Sequence, residues 1–390
     1  MILSGCTTVL ARKSVPAEFA GDLQQVAPYG IDRGLVRFWG DDLTTSDVEA
    51  VLQDSRERLR VDPAVLPEFQ KIDHADWLIL SGGGPDGAYG AGLLAGWSER
   101  GDRPDFRLVT GVSTGAIVAL FAFLGPQYDD TLKTLYTSHT TDDIASRTIF
   151  SGLTGGTALL DTRGYRTLID GYVSDAMVAE LADKHRRGYT LLIGTTNLDA
   201  SRPVIWNISA IAASEHPMAK VLIRDVIQAS SAIPVAFPPV LIPAFVGGER
   251  YDEMHVDGGA TQQLMLFSPK LSLRALDEAL GRDINRTVYI VINNKLKKPY
   301  NPIRPRISSI AGAAVSSLIS GSGTGDIYKV YAIAARDGED VRINWIPRDF
   351  DVESAELFDP VYMTALYELG FAAGRSGIDW RNHPPDFLPE

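Results

Sequence analysis

Ser113 stands between two glycines in the run LVTGVSTGAIVALF, residues 108–121, where GVSTG fits the pattern G-x-S-x-G. In that pattern a serine occupies a tight strand-to-helix turn with its hydroxyl exposed for attack on an acyl carbonyl. The hydroxyl is a weak nucleophile until a base takes its proton. Histidine is the usual base, and the chain has six: His74, His139, His185, His216, His255 and His383. An α/β-hydrolase triad runs serine, acid, histidine along the chain, which leaves His255 and His383 as the distant candidates. His383 sits in the proline-bracketed tail NHPPDF, and His255 falls inside a strand-like run, YDEMHVDGG. Asp257 in that run is the more telling residue. It ends the strand and is followed by Gly258 and Gly259, so its carboxylate projects from a strand terminus where the backbone turns sharply. A carboxylate serves as the base directly when burial raises its pKa above the ~3.9 reference. The long chain between Ser113 and Asp257 is no obstacle if two strand ends meet at one edge of a sheet.

A second constellation is the glycine run SGGGPDGAYGAG, residues 81–92. Gly82, Gly84 and Gly87 spell G-x-G-x-x-G, a dinucleotide fingerprint that needs an acidic residue near the end of the next strand. Asp102 and Asp105 come before that strand instead, and the Gly-Lys-Ser/Thr of a phosphate loop is absent. An oxyanion hole fits Ser113 better: N–H groups of Gly82, Gly83, Gly84 and Gly87, unobstructed by side chains, aimed at a carbonyl oxygen as it becomes an oxyanion. One such donor is worth ~10²–10³ in rate. A tight turn holding no ligand is the other reading of these glycines.

These residues need a frame. WLIL (77–80) reads as a short apolar strand entering the glycine run, and AYGAGLLAGWSER as a helix rich in small residues. FRLVT (106–110) reads as a second strand, GVSTG as its turn, and AIVALFAFL as a helix apolar on all faces and hence buried. That helix sets the positive end of its dipole beside Ser113. Strand, loop, helix, repeated, is the signature of an α/β unit with a parallel sheet. The runs YTLLIGTT (189–196), RPVIW (202–206) and TVYIVIN (287–293) extend the sheet; helical patterns cover 221–233, 307–319 and 361–374. The expected fold is therefore a three-layer α/β/α domain over 76–390, with a mostly parallel central sheet and a helical C-terminal segment. Residues 1–30 read as an anchor or linker, and 31–75 as an N-terminal extension carrying a polar helix at 46–60.

Taken in order, GGGPDG at 82–87, GVSTG at 111–115 with Gly111 and Gly115, ASSAIPVAFPPV at 229–240 and DGG at 257–259 resemble the blocks of the patatin-like phospholipases. The resemblance covers about residues 77–260. That family comprises lipid acyl hydrolases built on a Ser-Asp dyad without a catalytic histidine. The resemblance implies Ser113 as nucleophile, Asp257 as base and the N–H groups around Gly83 and Gly84 as the oxyanion hole. It further implies no cofactor, a phospholipid or other acyl-ester lipid as substrate, and a membrane surface as partner. Asp86 departs from the pattern, since many members carry Arg or Lys there. The rival expectations are a catalytically silent lipid-binding lipoprotein and a dinucleotide-binding oxidoreductase.

Composition narrows the partners. A net charge of -12 and a pI near 5.0 argue against nucleic acid, which requires a concentrated basic surface. The short basic runs Lys184–Arg187 and Lys295–Lys298 read as solvated loops diluted by acidic neighbours, with no attraction to anionic lipid. Asp252, Glu253, His255 and Asp257, at i, i+1, i+3 and i+5 of one strand, cannot all face one ion, so no metal is expected. Tyr89 and Trp97 are candidates for a lipid groove or for core, while Phe358, Tyr362, Tyr367 and Phe371 have the spacing of helix packing.

The single cysteine excludes an intrachain disulfide framework and closes the string LSGC at Cys6. That string resembles a bacterial lipobox, with lipidation expected on Cys6 and the protein held at a membrane of the cell envelope. Only five residues precede it, so this expectation requires a start upstream. Expressed from the extended frame, the protein should incorporate labelled palmitate, and Cys6→Ala should remove the label. Label persisting in the variant, or absent from the parent, rejects the anchor.

Overall fold

The computed structural model describes residues 12–32, 35–43, 72–147, 158–266, 272–279, 283–296 and 302–387, with isolated positions between these stretches. Cys6 lies outside the described residues. Twelve short and long strands are described: β1 (Ala27–Pro28), β2 (Arg37–Trp39), β3 (His74–Leu80), β4 (Leu108–Val112), β5 (Ser146–Arg147), β6 (Leu160–Asp161), β7 (Thr190–Asn197), β8 (Arg202–Asn207), β9 (Val240–Val246), β10 (Glu249–Asp257), β11 (Asn285–Ile292) and β12 (Asp340–Trp345).

Strands β7, β4, β3, β11 and β12 lie side by side and parallel. Their alternating side chains feed two separate cores, as a covered sheet requires. Leu78, Leu80, Val109, Leu191 and Ile193 point into one core, shared with helices Gly87–Arg100, Thr114–Leu124 and Ala219–Ser230. Ile79, Leu108, Val112, Leu192 and Ile290 point into the other, shared with Ile327, Val330 and Ile333 of helix Ile307–Asp337. The result is the expected three-layer α/β/α arrangement. Beyond β7 the sheet continues antiparallel through β8, β10 and β9.

β12 and helix Ile307–Asp337 are among the elements that exceed expectation. β12 was not anticipated, and helix Ile307–Asp337 runs eighteen residues past Ile319 until Gly338 ends it at φ 82°. Residues 321–325 are GSGTG, three of them glycines that weaken a helix, yet the helix continues because Ile327, Val330, Ile333 and Ala334 bury one stripe of its second half. Where described, the N-terminal segment lies against the domain: β1 pairs with β9, and Leu23, Val26 and Ile31 are buried. Of the 46–60 helix, positions 47, 49–51 and 53–54 are described, and all are helical.

Helix Gly87–Arg100 is positioned by backbone contact. A Cβ on Gly92 would lie 2.0 Å from the Tyr367 carbonyl oxygen, and one on Gly96 2.1 Å from that of Phe371. Reciprocally, a Cβ on Gly370 would lie 2.2 Å from the Tyr89 oxygen. The helix therefore meets helix Pro360–Ser376 along a seam with no side chains between the two backbones. Tyr89 and Trp97 serve this core and line no groove. Tyr89 donates to Asn344 Oδ1 at 2.6 Å, and Trp97 packs edge-on against Phe106 and Tyr289. Gly92→Val should lower stability by about 1–3 kcal/mol, the ordinary cost of overpacking. Gly171→Ala, whose Cβ meets nothing within 4 Å, should be neutral or gain up to about 1 kcal/mol. Thermal denaturation of both variants checks this; equal shifts would refute the seam.

Candidate active site

Ser113 joins β4 to helix Thr114–Leu124 with φ 56° and ψ -128°, a conformation that L side chains rarely adopt. The flanking glycines permit the turn. A Cβ on Gly111 would lie 2.2 Å from the Gly115 carbonyl oxygen, and one on Gly115 would lie 2.5 Å from those of Leu80 and Ser81. The strained backbone is clamped from behind. Ser113 N–H donates to Ser230 Oγ at 2.9 Å, and Ser230 donates to the Gly194 carbonyl at 2.7 Å. Reading the sequence did not single out Ser230; its only signal was membership of the stretch 229–240.

Asp257 reaches Ser113 through strand register. Val112 pairs with Gly194 of β7, and Asp257 pairs with the next residue, Thr195. Since β8 occupies the other edge of β7 over 192–197, β4 and β10 share one edge and run toward each other, end to end. Asp257 is 2% exposed. Its Oδ1 accepts from Gly259 N–H at 2.8 Å, and its own N–H donates to the Ala232 carbonyl at 2.9 Å. Burial pushes its carboxyl up to about 7, against the downward pull of hydrogen bonds from the Ser113 hydroxyl and Gly259. Gly258 and Gly259 are close-contact positions: a Cβ on the first would lie 2.6 Å from the Gly194 oxygen, and one on the second 2.2 Å from Gln263 Nε2.

The glycine run follows β3. A Cβ on Gly83 would lie 2.0 Å from the Asn293 carbonyl oxygen, and Gly84 has φ 59°. The loop is held by Asn293 Nδ2 donating to the Ser81 carbonyl at 2.9 Å and Asn294 Nδ2 donating to that of Gly82 at 2.7 Å. Among the described residues, the N–H groups of Gly83 and Gly84 have no protein acceptor. Both glycines border the cavity at Ser113. Gly82 lines neither of the two cavities at Ser113, and a Cβ there would lie 2.6 Å from Gln263 Oε1 and 3.1 Å from Ser113 Cβ. Gly87 corrects the expectation of a fourth donor. Its N–H turns back to the carbonyls of Gly84 and Pro85, and a Cβ there would lie 2.1 Å from Thr114 Oγ1. It is a contact glycine between the two helices. Asp86, the departure from the family pattern, accepts from Tyr362 Oη at 2.6 Å.

Two cavities meet at Ser113 and Gly84. The first is almost wholly apolar, walled by Ile117, Leu120, Phe121, Ile169, Ile227 and Phe358. Phe358 precedes helix Pro360–Ser376 and faces this cavity, which corrects its reading as helix packing. The second is wider and mixed, bordered by Asp257, Gln263, Asn294 and Lys295, and by one face of helix Ile307–Asp337. No described histidine lines either. His255 is fully buried, its Nδ1 paired with Thr195 Oγ1 at 2.9 Å; His383 Nδ1 lies 3.0 Å from the Pro384 carbonyl. Glu253 pairs with Arg37 and lies 3.6 Å from His255 Nε2, and among the described residues no group of three His, Cys, Asp or Glu is placed to hold a metal ion.

Residues 78–266 match a family described as Patatin-like phospholipase. No curated protein matches the chain. Among solved structures, VipD from Legionella pneumophila aligns over 78% of this chain and 67% of its own, at 12% identity and a TM-score of 0.37. Human GIVD cytosolic phospholipase A2 aligns over 73% of this chain and 51% of its own, at 10% identity and a TM-score of 0.31. The chain thus spans about half the length of the latter.

The buried carboxyl has a thermodynamic consequence. With its pKa near 7 when folded against an ordinary 3.8, Asp257 contributes stability that is complete below pH 4 and is lost as pH rises through 7. Asp257→Asn removes that dependence. At pH 8 it should be more stable than the parent by on the order of a few kcal/mol, and at pH 4 about equal. Chemical denaturation at both values tests this; an Asn variant less stable at pH 8 would contradict it.

Proposed function

The chain belongs to the patatin-like phospholipase family through residues 78–266, and on that premise we propose that it hydrolyses an ester-linked acyl chain of a phospholipid or related lipid with Ser113 and Asp257. One observation carries the reading: a buried carboxylate with a pKa near neutrality faces the Ser113 hydroxyl where an apolar cavity joins a mixed one. The apolar cavity suits one acyl chain, and the wider cavity suits the remainder of the lipid.

In this mechanism Asp257 accepts the Ser113 proton as Oγ attacks the ester carbonyl. The developing oxyanion takes the N–H groups of Gly83 and Gly84 and lies beside the N-terminus of helix Thr114–Leu124. Collapse breaks the ester bond, and Asp257 returns the proton to the departing alcohol. Water then attacks the acyl-serine, Asp257 takes its proton, and the fatty acid leaves with Ser113 restored. A Cβ on Gly82 would meet Gln263 Oε1 at 2.6 Å and Ser113 Cβ at 3.1 Å, so a side chain there would crowd the attacking serine. An acyl anchor at Cys6 belongs to the same proposal, holding the enzyme at the membrane that contains its substrate.

A carboxylate titrating near 7 imitates a histidine in a pH profile, so the profile alone does not discriminate. kcat/KM should fall below pH ~7, about tenfold per pH unit well below the limb. Ser113→Ala and Asp257→Asn should each lose ~10³-fold or more, and the double variant should be little worse than either. His255→Gln and His383→Gln should keep both the limb and most of the turnover. Loss of the limb in a folded His383→Gln protein would make the enzyme a histidine triad. Failure of a fluorophosphonate to label Ser113 would favour the silent lipid-binding protein.

A further inference from the structure

The chain carries a net charge of -12, yet from Ile284 to Gly325 it contains no aspartate or glutamate, while Lys295, Lys297, Lys298, Arg304 and Arg306 fall within that stretch. The reading of Lys295–Lys298 as diluted by acidic neighbours is therefore corrected: the basic residues lead into an apolar segment instead. The first nineteen residues of helix Ile307–Asp337, up to Gly325, hold no charged side chain at all.

The two faces of this half-helix differ in their surroundings. Val315, Ile319 and Gly323 line the wide cavity that contains Ser113 and Asp257. Ile307, Ile310 and Leu318 are 90%, 55% and 74% exposed, and at 3.6 residues per turn they fall about half a turn away from the cavity stripe. Just upstream, Tyr300 is 93% and Ile303 50% exposed. Arg304 and Arg306 are exposed, and among the described residues neither has an ion pair. Leu159, Val235 and Leu357, exposed on the rest of the molecule's apolar surface, also border the same cavity. A cluster of this kind marks an interaction surface. Among the described residues no helix is long and apolar enough to cross a membrane, and a face of this geometry lies along an interface.

We propose that the outer face of residues 307–318, with Arg304 and Arg306 at its N-terminal end, docks on an anionic lipid bilayer. The helix then forms the wall between the bilayer and the catalytic cavity. Charge complementarity selects this occupant. Pairing two copies through the same patch offers Arg304 and Arg306 no acidic partner, because the stretch from Ile284 to Gly325 contains none, whereas an anionic headgroup layer neutralises them. Continuity supports it too, because the opposite face of the same helix borders Ser113. The proposal rests on the lipid-hydrolase reading for the substrate alone.

The test uses the full chain carrying Cys6→Ala and Ser113→Ala, so that neither an acyl anchor nor turnover contributes, sedimented with vesicles of phosphatidylcholine alone or mixed with phosphatidylglycerol. Mixed vesicles should bind at least ~10-fold more tightly, less so at high salt. Adding Ile307→Asp and Leu318→Asp should weaken that binding at least ~10-fold, and Arg304→Gln with Arg306→Gln should erase the preference for anionic lipid. With Ser113 intact, none of the four changes should alter hydrolysis of a soluble short-chain ester. A parent that ignores mixed vesicles, aspartate variants that bind like the parent, variants that lose soluble-ester hydrolysis, or variants that change self-association alone would each overturn the docking surface. A parent that binds vesicles but leaves the soluble ester uncleaved overturns the hydrolase reading and leaves the surface standing.

Discussion

One edge of β7 accepts two strands that arrive from opposite directions, and the candidate chemistry depends on that shared edge. Val112 and Asp257 occupy neighbouring registers, against Gly194 and Thr195. The junction leaves no room for a side chain on Gly258, whose Cβ would lie 2.6 Å from the Gly194 carbonyl oxygen. A carboxylate and a hydroxyl are thus brought together by backbone hydrogen bonds, the most rigid connection a sheet offers. No flexible loop has to find the pose.

Rigidity is needed because both residues are held against their own preferences. Ser113 sits at a positive φ, and Asp257 is a carboxylate almost sealed from water. Strain of this kind persists only where the surroundings over-determine it. Ser230 ties the Ser113 amide to the Gly194 carbonyl, and Ala232 takes the Asp257 amide. Both come from the end of one helix and the turn after it, so a single short segment braces both members of the pair.

Much of this was legible in the sequence, for physical reasons that also explain what was not. Glycines packed against backbone leave a record in composition, so GVSTG, GGGPDG and DGG stand out, and apolar runs of strand length mark β3, β4, β7, β8 and β11. Ser230 left no such record, since a serine near a helix end has many ordinary uses. Gly87 misled because a missing side chain reads the same whether it frees an N–H group or admits Thr114. β12, DVRINW, alternates polar and apolar residues too briefly to declare itself. The antiparallel entry of β10 is a matter of topology, which local pattern does not encode. Helix Ile307–Asp337 is legible only to Ile319 because the three glycines of GSGTG (321–325) interrupt the helical pattern, although the buried stripe Ile327, Val330, Ile333 and Ala334 carries the helix on.

The glycine seam between helices Gly87–Arg100 and Pro360–Ser376 bears on where the family segment can be severed. That segment ends at residue 266, yet the helix that continues from the glycine run has its backbone pressed against one almost a hundred residues beyond that boundary. β11 likewise inserts between β3 and β12, so an excised 78–266 fragment has a bare parallel edge on β3 and an uncovered groove of glycines behind the loop. Sequence relatedness here delimits an ancestry rather than an autonomous piece, and grafting the motif-bearing stretch into another scaffold transfers its residues without the struts that orient them.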